Sequence, residues 1–325
     1  MSDNNENGST PVADGAEPRA ASLQPAPDSS FELSSIKIPP SDEGPGDPPT
    51  DVDYPKDVAY EDRVVAFVDI LGFRDIIARS AGEPELVQKI YTALDVRKDN
   101  WAKAFAAEVG LKMEPKDFGD RFHSFSDCIV ISVRPDIREV GLLVWIIFKI
   151  CRQLLRYGFT SRGGVAVGKL FHRDTIDAES AAPPMVFGPA FNEAYGFESA
   201  HADGPRIIFQ SKVWRLIEDN KNHHPDTKLR QFFDEHLSRA EDGPAFVNLF
   251  ADFGHNTYYE TAISPENEIA LIGGHIRTAL DQTSDRPHHF KKHAFLAREF
   301  NRSAAENERQ DHCIPPDILP RRTSS

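Results

Sequence analysis

The chain has 325 residues, 40% of them hydrophobic, and a formal net charge of −14. Residues 1–62 hold 14 acidic side chains against three basic ones, a net of −11, so the rest of the chain carries only −3. A nearly neutral body gives no support to a nucleic-acid-binding surface. The most apolar stretch, 142–148, is far shorter than the roughly 20 residues of a membrane span. The three cysteines lack metal-ligand spacing, and the first residues do not resemble a signal peptide. We therefore expect a cytoplasmic protein without direct membrane association.

Composition divides the chain into four segments. Residues 1–57 contain ten of the 24 prolines and many Ser, Asp and Gly, so this acidic tail is predicted to be disordered. A folded domain is expected over 58–219 and a C-terminal extension that packs on it over 220–302. Residues 303–325 are expected to form a frayed tail.

The predicted elements follow one another as strand, helices, hairpin, helix, strand and helices. In chain order we predict a strand over 63–69, a helix over 73–79, helical spacing over 85–109, a hairpin over 121–133, a helix over 136–157, a glycine-rich strand over 163–168, a turn and helix over 187–200, a strand over 207–210 and a helix over 213–219. The extension adds a strand over 245–250 and helices over 268–280 and 289–300. The order β-α-β-β-α-β predicts an α+β fold with a ferredoxin-like core.

Two carboxylates interrupt apolar stretches that are typical of buried strands. Asp69 ends the first predicted strand, and Asp127 lies at the hinge of the hairpin. A buried carboxylate is costly unless it is paired or binds a metal, and two of them in one sheet would suit divalent cations with oxygen ligands. Taken singly, Asp69 could instead cap a helix and Asp127 could be an ordinary turn residue.

Four motifs around these aspartates occur in a recognisable order. They are Asp-Ile-Leu-Gly-Phe at 69–73, Ser-Asp at 126–127, Arg-Gly-Gly-Val-Ala-Val-Gly at 162–168 and Phe-Gly-Pro-Ala-Phe-Asn-Glu-Ala at 187–194. Together they resemble the class III nucleotidyl cyclase catalytic domain, over roughly residues 62–215. The segments 67–73, 125–127 and 162–164 look most like the bacterial pyrimidine cyclases of Pycsar antiphage defence.

The resemblance implies conversion of UTP, or alternatively CTP, to the 3′,5′-cyclic monophosphate and pyrophosphate. Two Mn²⁺ or Mg²⁺ ions would be held by Asp69, Asp127 and the carbonyl of Ile70, and a separate effector would sense the product. Ile70, Leu71, Gly72 and Phe73 would bind the substrate, since backbone N–H groups at a helix start suit a triphosphate.

Base recognition is assigned to the strand before Asp127. Alternation places Arg121, His123 and Phe125 on the same side as the carboxylate, and an Arg or His donor could reach a pyrimidine O2 or O4. The alternative is that these are surface residues of an edge strand.

The helix that follows Phe187 matches the family pattern only in part. Asn192 matches the asparagine that orients the ribose, but the arginine expected four residues later is Gly196. The catalytic cation would then come from Arg162, Lys169 or Arg173. His172 is interpreted as a loop histidine. The family builds each site between two subunits, so the resemblance implies a homodimer.

Two readings from other functional classes stay open. One is a non-catalytic cyclase-like module that binds a nucleotide or regulates by dimerising, which Gly196 favours and the two aspartates oppose. The other is a palm-type polymerase or nuclease, against which the chain shows no basic, aromatic-lined groove.

Overall fold

The structure is a computed structural model that describes residues 58–95, 101–112, 121–173, 185–239, 243–251, 253 and 263–319. The acidic tail predicted over 1–57 lies outside these residues, as do positions 320–325. The described residues all belong to one compact unit.

The described chain begins with a long strand and alternates helices with strands from there on. The strands are β1 (Glu61–Ile70), β2 (Arg121–Phe125), β3 (Cys128–Val133), β4 (Ser161–Arg173), β5 (Met185–Phe187), β6 (Ile207–Phe209), β7 (Leu237–Arg239) and β8 (Ala245–Val247). The helices are α1 (Phe73–Ser80), α2 (Pro84–Leu94), α3 (Trp101–Val109), α4 (Ile137–Arg156), α5 (Pro189–His201), α6 (Ser211–Lys221), α7 (Thr227–His236), α8 (Pro265–Gln282) and α9 (Pro287–Glu306), followed by a short 3-10 helix, Gln310–His312.

One sheet organises these elements. Its strand order is β2-β3-β1-β4-β6-β8-β7, and β5 pairs separately with β4. The pairings are antiparallel apart from β4 with β6, which is parallel. Central β1 is buried without alternation over 63–68 because both faces of the sheet are covered there. The prediction of an α+β fold is confirmed at this level, a mainly antiparallel sheet flanked by helices.

Helices α4 and α5 cover opposite faces of the sheet. Helix α4 begins at the N-cap Asp136, whose side chain accepts the Arg138 N–H, and its 20 residues pack into the main core. Helix α5 lies over β1 and β4 in a smaller cluster that includes Phe67 and Ala194. A Cβ at Gly164 would lie 2.3 Å from the Ala194 carbonyl oxygen, so glycine is what lets α5 lie directly on β4.

The element boundaries depart from the prediction in several places. Residues 85–109 hold two helices, α2 and α3, with 96–100 outside the described part. The strand expected over 245–250 ends at Val247. The expected fraying after residue 303 is wrong for the described residues up to 319: α9 continues to Glu306, and Ile314 is 1% exposed because it packs into the main core.

The C-terminal extension continues the sheet and also packs on α4. Strands β8 and β7 lengthen the sheet beyond β6, while α8 packs against α4 and α9. The side chain of Glu268 on α8 is bound by Arg152 and Arg156 on α4. Among the helices described, none has the length and apolar character needed to cross a membrane.

Candidate active site

The two predicted aspartates lie at the same end of the sheet. Asp69 is the penultimate residue of β1 and pairs across the sheet with Cys128 on β3 and Arg162 on β4. Asp127 sits in the two-residue turn between β2 and β3, and its carbonyl oxygen accepts the Ile70 N–H at 3.1 Å. This hydrogen bond fastens the tip of the hairpin to the end of β1, beside Asp69.

The electrostatics of this corner reflect the closeness of the two carboxylates. Burial raises the pKa of Asp69 more than the Arg162 guanidinium lowers it, and the charge of Asp127 raises it further. Burial is the main cause that raises the pKa of the Cys128 thiol, and the charges of Asp127 and Asp69 raise it further. Negative charge is therefore in surplus here.

Arg162 lies between two acidic side chains. Its Nε is 3.3 Å from Asp69 Oδ2 and closer still to Glu198 Oε1. Glu198 is a residue of α5 with a side chain that is only 1% exposed, and Ser199 Oγ donates a hydrogen bond of 2.8 Å to its other oxygen. Burial raises the pKa of Glu198 despite Ser199 and Arg162.

The sequence interpretation missed Glu198, although a signal was present. Ala190, Ala194 and Glu198 follow one another at four-residue spacing, which places them on one face of α5, and all three are buried. A glutamate on an otherwise small and apolar helix face has to find a cation.

The donor set fits a hard divalent cation. No group of three or more His, Cys, Asp or Glu side chains suited to a metal occurs in the described residues. A cation at Asp69 and Asp127 would therefore complete its shell with backbone and substrate oxygens. Mg²⁺ is commonly bound in this way, by one or two carboxylates plus substrate phosphates.

The segment predicted to hold the triphosphate has fewer open donors than expected. The Ile70 N–H is taken by Asp127, and the Leu71 N–H donates to the Thr160 carbonyl at 2.8 Å. Gly72 adopts φ 72° and ends the strand-to-helix turn before α1. Since the first N–H groups of a helix lack intrahelical acceptors, the donors at this turn are those of the N-cap Gly72 and of Phe73 and Arg74.

The base-reading candidates lie on β2, at one edge of the described sheet. His123 and Phe125 pair with residues of β3 that share the face of Asp69, and their rings lie 4.2 Å apart. Phe125 is 47% exposed. The backbone of Arg121 lies opposite Ser132, and its side chain is outside the described part.

His172 is not a loop residue, contrary to expectation. It lies on β4, is 5% exposed, and its Nδ1 forms a 2.7 Å hydrogen bond with Ser132 Oγ. Because β4 extends to Arg173, well past the predicted end at 168, the strand carries this histidine into the buried face.

The structure separates the other candidate cations from Asp69. Lys169 binds Asp62 at 2.9 Å at the far end of β1. The pairs Asp69–Arg162 and Asp62–Lys169 are seven residues apart in register, about 23 Å along the strand. Arg173 lies still farther along β4. Within one chain, Arg162 is the candidate that contacts Asp69.

Asn192 and Gly196 occupy the outward face of α5. Both are exposed, and they lie roughly 160° around the helix from Ala194, which faces the sheet. A Cβ at Gly196 would meet no atom within 4 Å, so the glycine is not required by packing. Asn192 therefore points away from the Asp69 of its own chain.

Comparison with known proteins assigns no family. No protein-family model matches the chain, and no curated protein matches it. Among solved structures the chain is similar to a bacterial light-regulated adenylyl cyclase, at 13% identity and a TM-score of 0.34, over 58% of this chain and 91% of that one. A likeness at this level carries no argument about function, so the residues themselves have to support the proposal.

Proposed function

We propose that this protein is a nucleotidyl cyclase that converts UTP to 3′,5′-cyclic UMP and pyrophosphate. The observation that carries the proposal is the joining of Asp69 and Asp127 at one corner of the sheet, where negative charge is in surplus. The motif order in the sequence supports the same activity. CTP is the alternative substrate.

In the proposed reaction the ribose 3′-oxygen forms a bond to the α-phosphorus while the bond to pyrophosphate breaks. Two Mn²⁺ or Mg²⁺ ions would activate the attacking oxygen and neutralise the leaving group. Asp69 and Asp127 would hold these ions, with the Ile70 carbonyl as a further ligand. Arg162 is the cation best placed to meet charge that develops on the phosphates, since it already contacts Asp69.

The outward direction of Asn192 supports a site that two copies of the chain share. This side chain points away from its own sheet, so it would orient the ribose of a substrate held by the aspartates of a partner subunit. The edge strand with His123 and Phe125 would contribute a donor and an aromatic face to a pyrimidine base.

The biological role proposed for the product is signalling. A cyclic pyrimidine nucleotide released by this enzyme would be sensed by a separate effector, as the resemblance to antiphage cyclases implies. The enzyme itself needs no nucleic acid and no membrane for the proposed chemistry.

The test is a product assay on the full chain. The purified protein is incubated with each of the four nucleoside triphosphates and Mn²⁺, and the products are identified by mass. We expect cyclic UMP, and a loss of about a thousandfold or more in Asp69→Asn and Asp127→Asn. Asp95→Asn, an exposed aspartate at the end of α2, is the matched control that keeps full activity.

The assay also decides between the candidate functions. Cyclic CMP as the main product would replace UTP by CTP. The absence of a cyclic product from all four substrates would overturn the enzyme proposal. It would favour a nucleotide-binding module without catalysis, the reading supported by the glycine at position 196.

A further inference from the structure

Glu198 belongs to the candidate site although no motif singles it out. It lies on the sheet-facing side of α5, and its carboxylate shares the Arg162 guanidinium with Asp69. Its burial is nearly complete, so it interacts with the site rather than with solvent.

The packing of α5 fixes the place of this carboxylate. A Cβ at Gly164 would lie 2.3 Å from the Ala194 carbonyl and 2.9 Å from the Glu198 backbone N, so the helix lies against β4 with no intervening side chain. Ser199 Oγ donates to Oε2 of Glu198, while Oε1 forms an ion pair with Arg162 without a hydrogen bond among the described residues. Glu198 Oε1 is therefore a buried acceptor beside the guanidinium that has no hydrogen bond of its own.

Arg162 and a divalent cation compete for the same acceptor. The Arg162 Nε is 3.3 Å from Asp69 Oδ2, which is one of the oxygens offered to a metal in the proposed function. A guanidinium bound fully to Asp69 would satisfy this carboxylate and oppose a cation through like-charge repulsion. Glu198 offers the guanidinium a second and nearer anion.

We propose that Glu198 is a positioning residue: it draws Arg162 away from Asp69 and so keeps the Asp69 carboxylate open to a divalent cation. This inference rests on the proposed function, since it concerns the cation site of that reaction. Glu198 itself touches neither substrate nor metal; it acts through Arg162.

The experiment measures Mn²⁺ binding to the nucleotide-free full chain, by the electron paramagnetic resonance signal of free Mn²⁺. In Glu198→Gln the guanidinium keeps Asp69 as its charged partner, so we expect the dissociation constant to rise roughly tenfold. Glu193→Gln removes the same charge from an exposed position on the same helix and is expected to leave the constant unchanged.

A second background separates positioning from the mere loss of a negative charge. In Arg162→Gln there is no guanidinium to draw away, so adding Glu198→Gln should change Mn²⁺ affinity less than twofold. A simple charge effect predicts the same loss in both backgrounds. An equal loss in both, or an unchanged constant in Glu198→Gln, would overturn the proposal.

Further controls distinguish a failure of the positioning role from a failure of the proposed function. If the wild-type chain binds no Mn²⁺, or if Asp69→Asn binds it equally well, the metal site and the proposed reaction fail together. If binding depends on Asp69 but not on Glu198, the positioning role alone fails. Should Glu198→Gln not fold by circular dichroism, Glu198→Asp in the same two backgrounds gives the same comparison with a smaller expected shift.

Discussion

Two clusters in this protein pair arginine with carboxylate side chains, but the pKa values of their acids shift in opposite directions. In the site, Arg162 is shared by Asp69 and Glu198, and the pKa of both acids is raised, with burial as the main cause. Between α4 and α8, Arg152 and Arg156 both bind Glu268. Burial alone would raise the pKa of Glu268, but the two arginines outweigh it and the pKa is lowered.

This is the difference expected between a cluster that holds the fold together and one that, in the proposed function, receives a cation. Arg152 is 1% exposed, donates to the Leu249 carbonyl as well as to Glu268, and lies 4.8 Å from the centre of the Phe253 ring. Its guanidinium therefore has several partners within the fold. The site cluster has more negative than positive groups, a state that costs stability without a cation and is relieved by one.

The largest effect on stability should come from breaking the cluster around Glu268. Arg152→Met leaves Glu268 with one partner and the Leu249 carbonyl without its donor, so we expect a loss of about 3–5 kcal/mol in the free energy of unfolding, measured with urea. Arg162→Met should cost clearly less, because Asp69 is partly exposed and burial raises the pKa of both Asp69 and Glu198 even with Arg162 present. Equal losses in the two variants would contradict the comparison.

Adding a cation at position 196 should raise activity in the proposed site that two subunits share. Gly196 lies where the cyclase pattern that the sequence resembles has an arginine, and its surroundings leave room for a side chain. We expect Gly196→Arg to raise the turnover of UTP at least about tenfold, because it supplies a donor for the charge of the transition state.

Two alanine variants control this experiment. Gly196→Ala and Gly274→Ala both fill open space in a helix, and each should gain up to about 1 kcal/mol in stability without a change in turnover. If Gly196→Ala raises turnover as much as Gly196→Arg does, the gain comes from helix stability and the argument for a missing cation fails.

The two clusters should respond to pH with opposite sign. The folded pKa of Glu268 lies below its ordinary value of 4.5, so its stabilisation is complete above that pH and is lost as the pH falls through the folded pKa. The folded pKa of Glu198 lies above 4.5, so its contribution is complete below that value and is lost as the pH rises through the folded pKa.

Neutral variants test these signs in urea unfolding between about pH 4 and pH 7.5. Glu268→Gln should lose stability relative to the wild type at neutral pH and approach it in acid. Glu198→Gln should gain stability relative to the wild type as the pH rises. If the stabilities of Glu198→Gln and the wild type change in parallel with pH, the electrostatic difference that we infer between the clusters is wrong.

The smallest expected effect concerns the turn that carries Asp127. Ser126 adopts φ 52°, a left-handed conformation that costs a residue with a side chain about 1–2 kcal/mol. After the entropy cost of glycine, Ser126→Gly should gain about 0.5 kcal/mol in stability. Ser124→Gly, in the ordinary strand conformation of β2, should instead destabilise. A loss in both variants would show that the turn stores no strain.

The sequence predicted the parts of this molecule that depend on local patterns. The apolar stretches that end at Asp69 and flank Asp127 fix strand positions, and the long helix predicted over 136–157 begins one residue before α4 does. The pairing of β2 with β3 places His123 on the sheet face of Asp69. These features require only neighbouring residues.

The parts that the sequence did not predict depend on contacts between residues that are distant along the chain. Arg162 meets Asp69 because β4 pairs with β1 in one register, and Glu198 joins them because α5 lies on β4. Neither register nor helix placement can be read from a single sequence. Helix α7 and the three-residue strand β7 were missed for a similar reason: both are short, and β7 is held in place by its pairing with β8.

The end of α4 links the C-terminal extension to the turn over residues 70–72. His275 of α8 contacts the Arg156 carbonyl at 3.1 Å, and a Cβ at Gly158 would lie 3.0 Å from the same histidine ring. Four residues after Arg156, the Thr160 carbonyl holds the Leu71 N–H. The position of α8 is therefore coupled to the turn beside Asp69 through a very short segment of chain, residues 156–160.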